Sequence, residues 1–135
     1  MKLLVPWLLT LILTTGPRLR AQDQPPKAPA AVQEAHEWGE LYESILADAW
    51  AGDTNALGAM FGYEDQAAFH GKAVGEHHRV LWALLQHLGD ERFATALGGE
   101  VSRIRETVVR ALMKVVPSTT LRTRFPRTYA TGIHT

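Results

Sequence analysis

Between positions 70 and 78 stand three histidines and a glutamate: His70, Glu76, His77 and His78. Imidazole is the commonest metal ligand and the side chain that titrates nearest neutral pH, and a carboxylate beside it can complete a coordination shell or take up a proton. On a helix reaching back to residue 70, His70 and His77 would share a face, with Glu76 and His78 alongside. A divalent metal or a small hydrolytic centre is the chemistry such a group could support. Two features weigh against it. His77 continues the apolar line of Leu81, Leu84 and Leu88, and Gly71 and Gly75 weaken any helix reaching back to His70. The expectation is therefore a histidine packed at the edge of a core, with no metal, no cofactor and no catalytic residue.

The remaining catalytic patterns fail at identifiable positions. His36-Glu37 begins as H-E-x-x-H does, but Glu40 stands where the second zinc-binding histidine is required. Gly71-Lys72 lacks both the following Ser or Thr and the upstream glycine of a phosphate loop. No G-x-S-x-G surrounds Ser44, Ser102 or Ser118, so a nucleophile elbow is unsupported. The absence of cysteine removes disulfides, thiolate metal sites and cysteine nucleophiles.

A formal charge of zero conceals an asymmetry. Glu34, Glu37, Glu40, Glu43, Asp48, Asp53, Glu64 and Asp65 lie in a stretch without Lys or Arg, whereas Arg103, Arg105, Arg110, Lys114, Arg122, Arg124 and Arg127 face only Glu106. The simplest expectation is that the two segments pack near one another or form solvated faces. Arg122, Arg124 and Arg127 are the candidates for an anionic partner, although three arginines make a small footprint for nucleic acid, which is not expected to bind. Trp50 and Trp82 lie toward the flanks of their apolar stripes and are the aromatic candidates for facing a partner. Arg105 falls between Val101, Val108 and Leu112 on an otherwise apolar face, so it should snorkel outward or meet a carboxylate, with Glu34 and Asp90 the candidates.

The elements that must position these residues read as helices. Val74, His77, Leu81, Leu84, Leu85 and Leu88 have the spacing of one amphipathic face, which Gly89 ends. Asp90 is placed to cap a short helix through Phe93, Ala94 and Leu97, stopping at Gly98-Gly99. Val101, Ile104, Val108, Leu112 and Val115 form a third stripe that ends before Pro117. Upstream, Ala35, Trp38, Tyr42, Ile45, Leu46 and Ala49 share a face of one long helix over 31–51, making the aromatics core residues. Gly52-Asp53 then caps a short helix through Leu57, Met60 and Phe61 that fades at Gly62.

The chain divides accordingly. Met1-Lys2 and the apolar run Leu3 to Thr15 resemble a secretory signal, too short at ~1.5 Å per residue to cross a ~30 Å hydrocarbon layer, with a cut expected after Ala21. Residues 22–30, with Pro25, Pro26 and Pro29, should be an extended linker. Residues 31–116 should form the domain, and 117–135 a basic, flexible tail in which Pro126 and Gly132 disfavour a helix.

The fold class expected is all-α, a small bundle of about four or five helices behind a signal segment and Pro/Ala-rich linker. The functional expectation is a non-enzymatic, secreted or periplasmic module that binds an unknown protein or a second copy of itself. Two alternatives follow from the same residues: a metal-binding protein or small enzyme built on His70, Glu76, His77 and His78, or a structural protein tethered to a membrane by a retained N-terminal segment. No motif assigns an activity.

Overall fold

The computed structural model describes residues 23–65 and 69–133, so the signal segment expected over 1–21 lies outside the described residues. The protein is all-helical there, with eight helices: α1 (Pro29–Glu37), α2 (Tyr42–Trp50), α3 (Thr54–Asp65), α4 (Lys72–Leu88), α5 (Asp90–Gly98), α6 (Ser102–Val115), α7 (Ser118–Arg124) and α8 (Pro126–Gly132). This exceeds the expected four or five, and the excess has two sources.

The first is a break in the long N-terminal helix. The Trp38 and Gly39 amides bond back to the carbonyls of Ala35 and His36, and Gly39 adopts φ 82°, a left-handed conformation that costs glycine little and ends α1. Helical rotation is lost across 38–41, so Trp38 no longer shares a stripe with Tyr42. Tyr42 is buried, whereas Trp38 is 41% exposed.

The second source is the expected tail, which is helical through Gly132. Pro117 is the N-cap residue of α7 and Pro126 opens α8, positions at which a missing N–H breaks no intrahelical bond. Leu121, Phe125, Thr128 and Gly132 are buried against the rest of the protein. α8 lies so close to α6 that a Cβ on Gly132 would meet the Val109 side chain and approach the Arg105 carbonyl oxygen to 2.7 Å.

α4 is the axis of the assembly, packed against α1, α2, α3, α5 and α6. Its buried positions, including Ala73, His77, Val80, Leu81, Leu84, Leu85 and Leu88, follow the expected apolar face. Phe61 and Phe93 meet edge-to-face at 5.2 Å, joining α3 to α5. A fully buried Leu or Phe contributes about 1.5–3 kcal/mol relative to exposure, and such contacts rather than caps hold helices this short.

The expected linker is only partly solvated. Ala28 is buried, Pro25 and Pro26 are half-buried, and Trp50 Nε1–H donates to the Asp23 carbonyl at 2.8 Å, fastening the segment to α2. Among the described residues no helix is long and apolar enough to cross a membrane.

Candidate functional site

The four residues of the His/Glu group separate into four different sets of contacts. His77 is fully buried, deeper than the core edge expected of it. Its Nε2 lies 3.0 Å from the Met60 carbonyl and its Nδ1 lies 2.7 Å from the Tyr42 hydroxyl. A carbonyl only accepts, so Nε2 carries the proton, and the Tyr42 O–H donates to the lone pair on Nδ1. Both nitrogens are thereby engaged, and the lone pair a metal would need is occupied. Burial pushes the His77 imidazole down from 6.5 to about 4, outweighing the opposing influences of Glu64 and the Met60 carbonyl. Tyr42 shifts upward for the same primary reason, burial, reinforced by Tyr63, Glu76 and Glu64. The pair is a buried, neutral link from α2 through α4 to α3.

Glu76 turns the other way. Its Oε1 accepts the Ala31 backbone N–H at 3.0 Å, satisfying a donor in the first turn of α1, which α1 obtains from no side-chain cap of its own. His78 Nε2 meets Glu64 Oε1 at 3.0 Å, tying α4 to α3. His70 is separate and exposed, its backbone N–H and Nδ1 both on the Glu34 carboxylate, at 3.1 and 3.2 Å from Oε1. Among the described residues no three His, Cys, Asp or Glu side chains gather in a way that could hold a metal ion.

The proposed partner residues fall into different environments. Trp82 is half-buried, edge-on to Phe125 at 5.4 Å, and the Arg124 guanidinium lies 5.8 Å from the Trp82 ring centre and 5.2 Å from that of Phe125. Arg122 lies 5.8 Å from the Tyr129 ring, and Arg127 reaches Glu91 at 3.6 Å. Trp50 stands apart, stacked on His87 at 3.9 Å with planes 7° apart. Arg105 meets neither Glu34 nor Asp90. Its Nη1–H donates to the Glu100 carbonyl at 2.6 Å and its Nε–H to the Thr131 carbonyl at 3.3 Å, because Glu34 is turned to His70 and Asp90 is engaged at α8. Both Asp90 oxygens accept backbone N–H groups there, from Arg127 at 2.9 Å and Thr128 at 2.8 Å. Asp90 therefore serves the start of α8, while Gly89 is the N-cap residue of α5.

The surface feature the sequence reading missed is the turn between α1 and α2. An open groove of about 590 Å³ runs between these helices, lined by Val32, Leu41 and Tyr42 together with His36, Glu40 and Glu43. A second groove of about 470 Å³ extends it toward Pro25 and Pro26, sharing Val32 and Glu43. Leu41 is 67% exposed. Trp38 is exposed yet held from behind by Phe69 at 5.0 Å and Tyr63 at 6.2 Å between ring centres. Tyr63 itself is pushed up to about 12, first by burial and then by Glu40, whose carboxylate its hydroxyl faces at 3.5 Å. The available signal was Gly39 together with a leucine off the apolar stripe.

Comparison with protein-family models, with curated proteins and with solved structures gives no match.

Proposed function

We propose that this protein is a non-catalytic interaction module whose working surface is the α1–α2 turn and the groove beside it. The observation that carries this reading is an exposed Leu41 lining an apolar groove, in the same short turn as an exposed Trp38 backed by Phe69 and Tyr63. Large apolar side chains gain free energy by leaving water, and an aromatic already fixed by its neighbours loses little conformational freedom on binding. Aromatic anchors of this kind carry much of the affinity of protein interfaces. The histidine group, by contrast, is spent on internal contacts, which supports binding over chemistry as the role of the surface.

The N-terminal run of apolar residues after Met1-Lys2 supports export of the module, secreted or periplasmic. A photo-crosslinking amino acid at position 41, irradiated in the protein's native cell fraction, tests the binding role. A discrete adduct that is absent when the probe is placed at exposed Lys72 on α4 is expected. Equal, diffuse labelling at both positions would remove the α1–α2 surface as the binding site.

A further inference from the structure

Of the acids between positions 31 and 65, several are consumed internally. Glu34 holds His70, Asp53 accepts the Ala56 N–H at 2.9 Å in the first turn of α3, and Glu64 holds His78. Glu40 meets only the Tyr63 hydroxyl, and Glu37, Glu43 and Asp48 are exposed with no cationic partner among the described residues. Residues 31–65 contain no Lys or Arg to neutralise them. The first groove is thus mainly apolar and carries two carboxylates, Glu40 and Glu43, beside His36, whereas Lys27 lines the far end of the second groove.

We infer that the occupant of this groove is a cationic amphipathic helix of a protein partner, its apolar face laid over Val32 and Leu41 and its Lys or Arg side chains meeting Glu40 and Glu43. The inference rests on the binding role proposed above and supplies the partner's chemistry. Two observations select it. The first groove lies between two helices, and the second adjoins it through Val32 and Glu43, an arrangement suited to a helix presenting i, i+3, i+4 and i+7 anchors. Glu40 and Glu43 repel anionic membrane surfaces and acidic peptides while drawing a basic segment into the first groove, with the partner selected by charge as well as shape.

The test uses the full chain and three labelled synthetic peptides of equal length, followed by fluorescence anisotropy. One is a Leu/Lys amphipathic helix, one carries Glu in place of Lys, and one scrambles the Leu/Lys order. The expected result is at least tenfold tighter binding of the Leu/Lys helix than of either control, with affinity falling as salt rises. Leu41→Asp should remove that binding, and Glu40→Lys with Glu43→Lys should reverse the preference between the Lys and Glu peptides. Circular dichroism establishes that each variant remains folded, and Lys72→Glu serves as a charge change away from the groove. Equal affinity for all three peptides, or binding unchanged in Leu41→Asp, overturns the inference. Self-association of the chain that Leu41→Asp abolishes also overturns it, by assigning the groove to a second copy. The binding role of the turn is decided separately by the adduct at position 41, so a defined adduct with no preference for the cationic helix discards the partner chemistry alone.

Discussion

The acidic and basic ends of this protein carry opposite charge and use it differently. Around α6, α7 and α8 several cations make contacts within the fold: Arg105 grips two backbone carbonyls, Arg122 and Arg124 lie against aromatic rings, and Arg127 pairs with Glu91. Around α1 and α2, Glu37, Glu43 and Asp48 face water without a cationic partner among the described residues. Equal numbers of acids and bases thus do not produce a charge-neutral surface. Three carboxylates are left outward at α1 and α2, which gives the acidic end a field that a partner can feel.

The sharpest way to break the contrast is at the close approach of α8 to α6. Gly132→Ala forces a methyl group against Val109 and the Arg105 carbonyl, and the helices must separate. Overpacking of this kind costs about 1–3 kcal/mol, and loosening α8 also weakens the Arg105 bond to Thr131. Urea denaturation should show a lower midpoint with little change in slope, while peptide binding at α1–α2 stays intact in the folded fraction. A coupled loss of binding in still-folded protein would mean that the two ends do not act independently.

A comparable effect is expected from acid, beneath the opposite end. His77 binds its proton at about 4 when folded and near 6.5 when unfolded, so between those values the unfolded chain holds more protons. The stability owed to its neutral, buried state is complete above pH 6.5 and declines as pH falls toward 4, by about 3 kcal/mol at ~1.36 kcal/mol per pH unit. Denaturation at pH 7.5, 5.5 and 4.5 should show this fall, and a variant lacking the imidazole, His77→Gln, should have a flatter profile whatever its absolute stability. Parallel profiles for the two proteins would exclude His77 as the source.

The smallest expected effect compares single surface charges. Arg124→Ala removes a guanidinium from beside Trp82 and Phe125 and should cost about 0.5–1 kcal/mol. Glu43→Gln should leave stability within ~0.5 kcal/mol. Thermal melts of the pair in the same buffer check the difference, and a larger loss from Glu43→Gln would place that carboxylate among the fold's own supports.

Legibility in the sequence followed the length and continuity of each apolar stripe. α4 and α6 were readable because their faces run uninterrupted between Gly71, Gly89, Val101 and Pro117. α1 and α2 were read as one helix because the spacing of Ala35, Trp38 and Tyr42 persists on a wheel that the backbone abandons at Gly39. That fusion hid the surface: with Trp38 assigned to the core and Leu41 off the stripe, the exposed side chains of the turn could not be seen. α7 and α8 were missed because proline was weighed as a helix breaker, whereas Pro117 and Pro126 stand where helices begin. The partners of Arg105 and Glu76 were beyond reach for another reason. Both bind backbone atoms, and a backbone donor or acceptor carries no signature in residue type.

Asp90 gives α8 a particular place in the order of assembly. A helix of seven residues has too few internal bonds to repay its own nucleation, and two amides at the start of this one are held by a carboxylate well over thirty positions earlier in the chain. α8 therefore gains its stability only once α5 and α6 have already come together to receive it. During synthesis Asp90 leaves the ribosome long before the Arg127 and Thr128 amides that donate to it, so α8 should lock a preformed nucleus shut rather than help to found it.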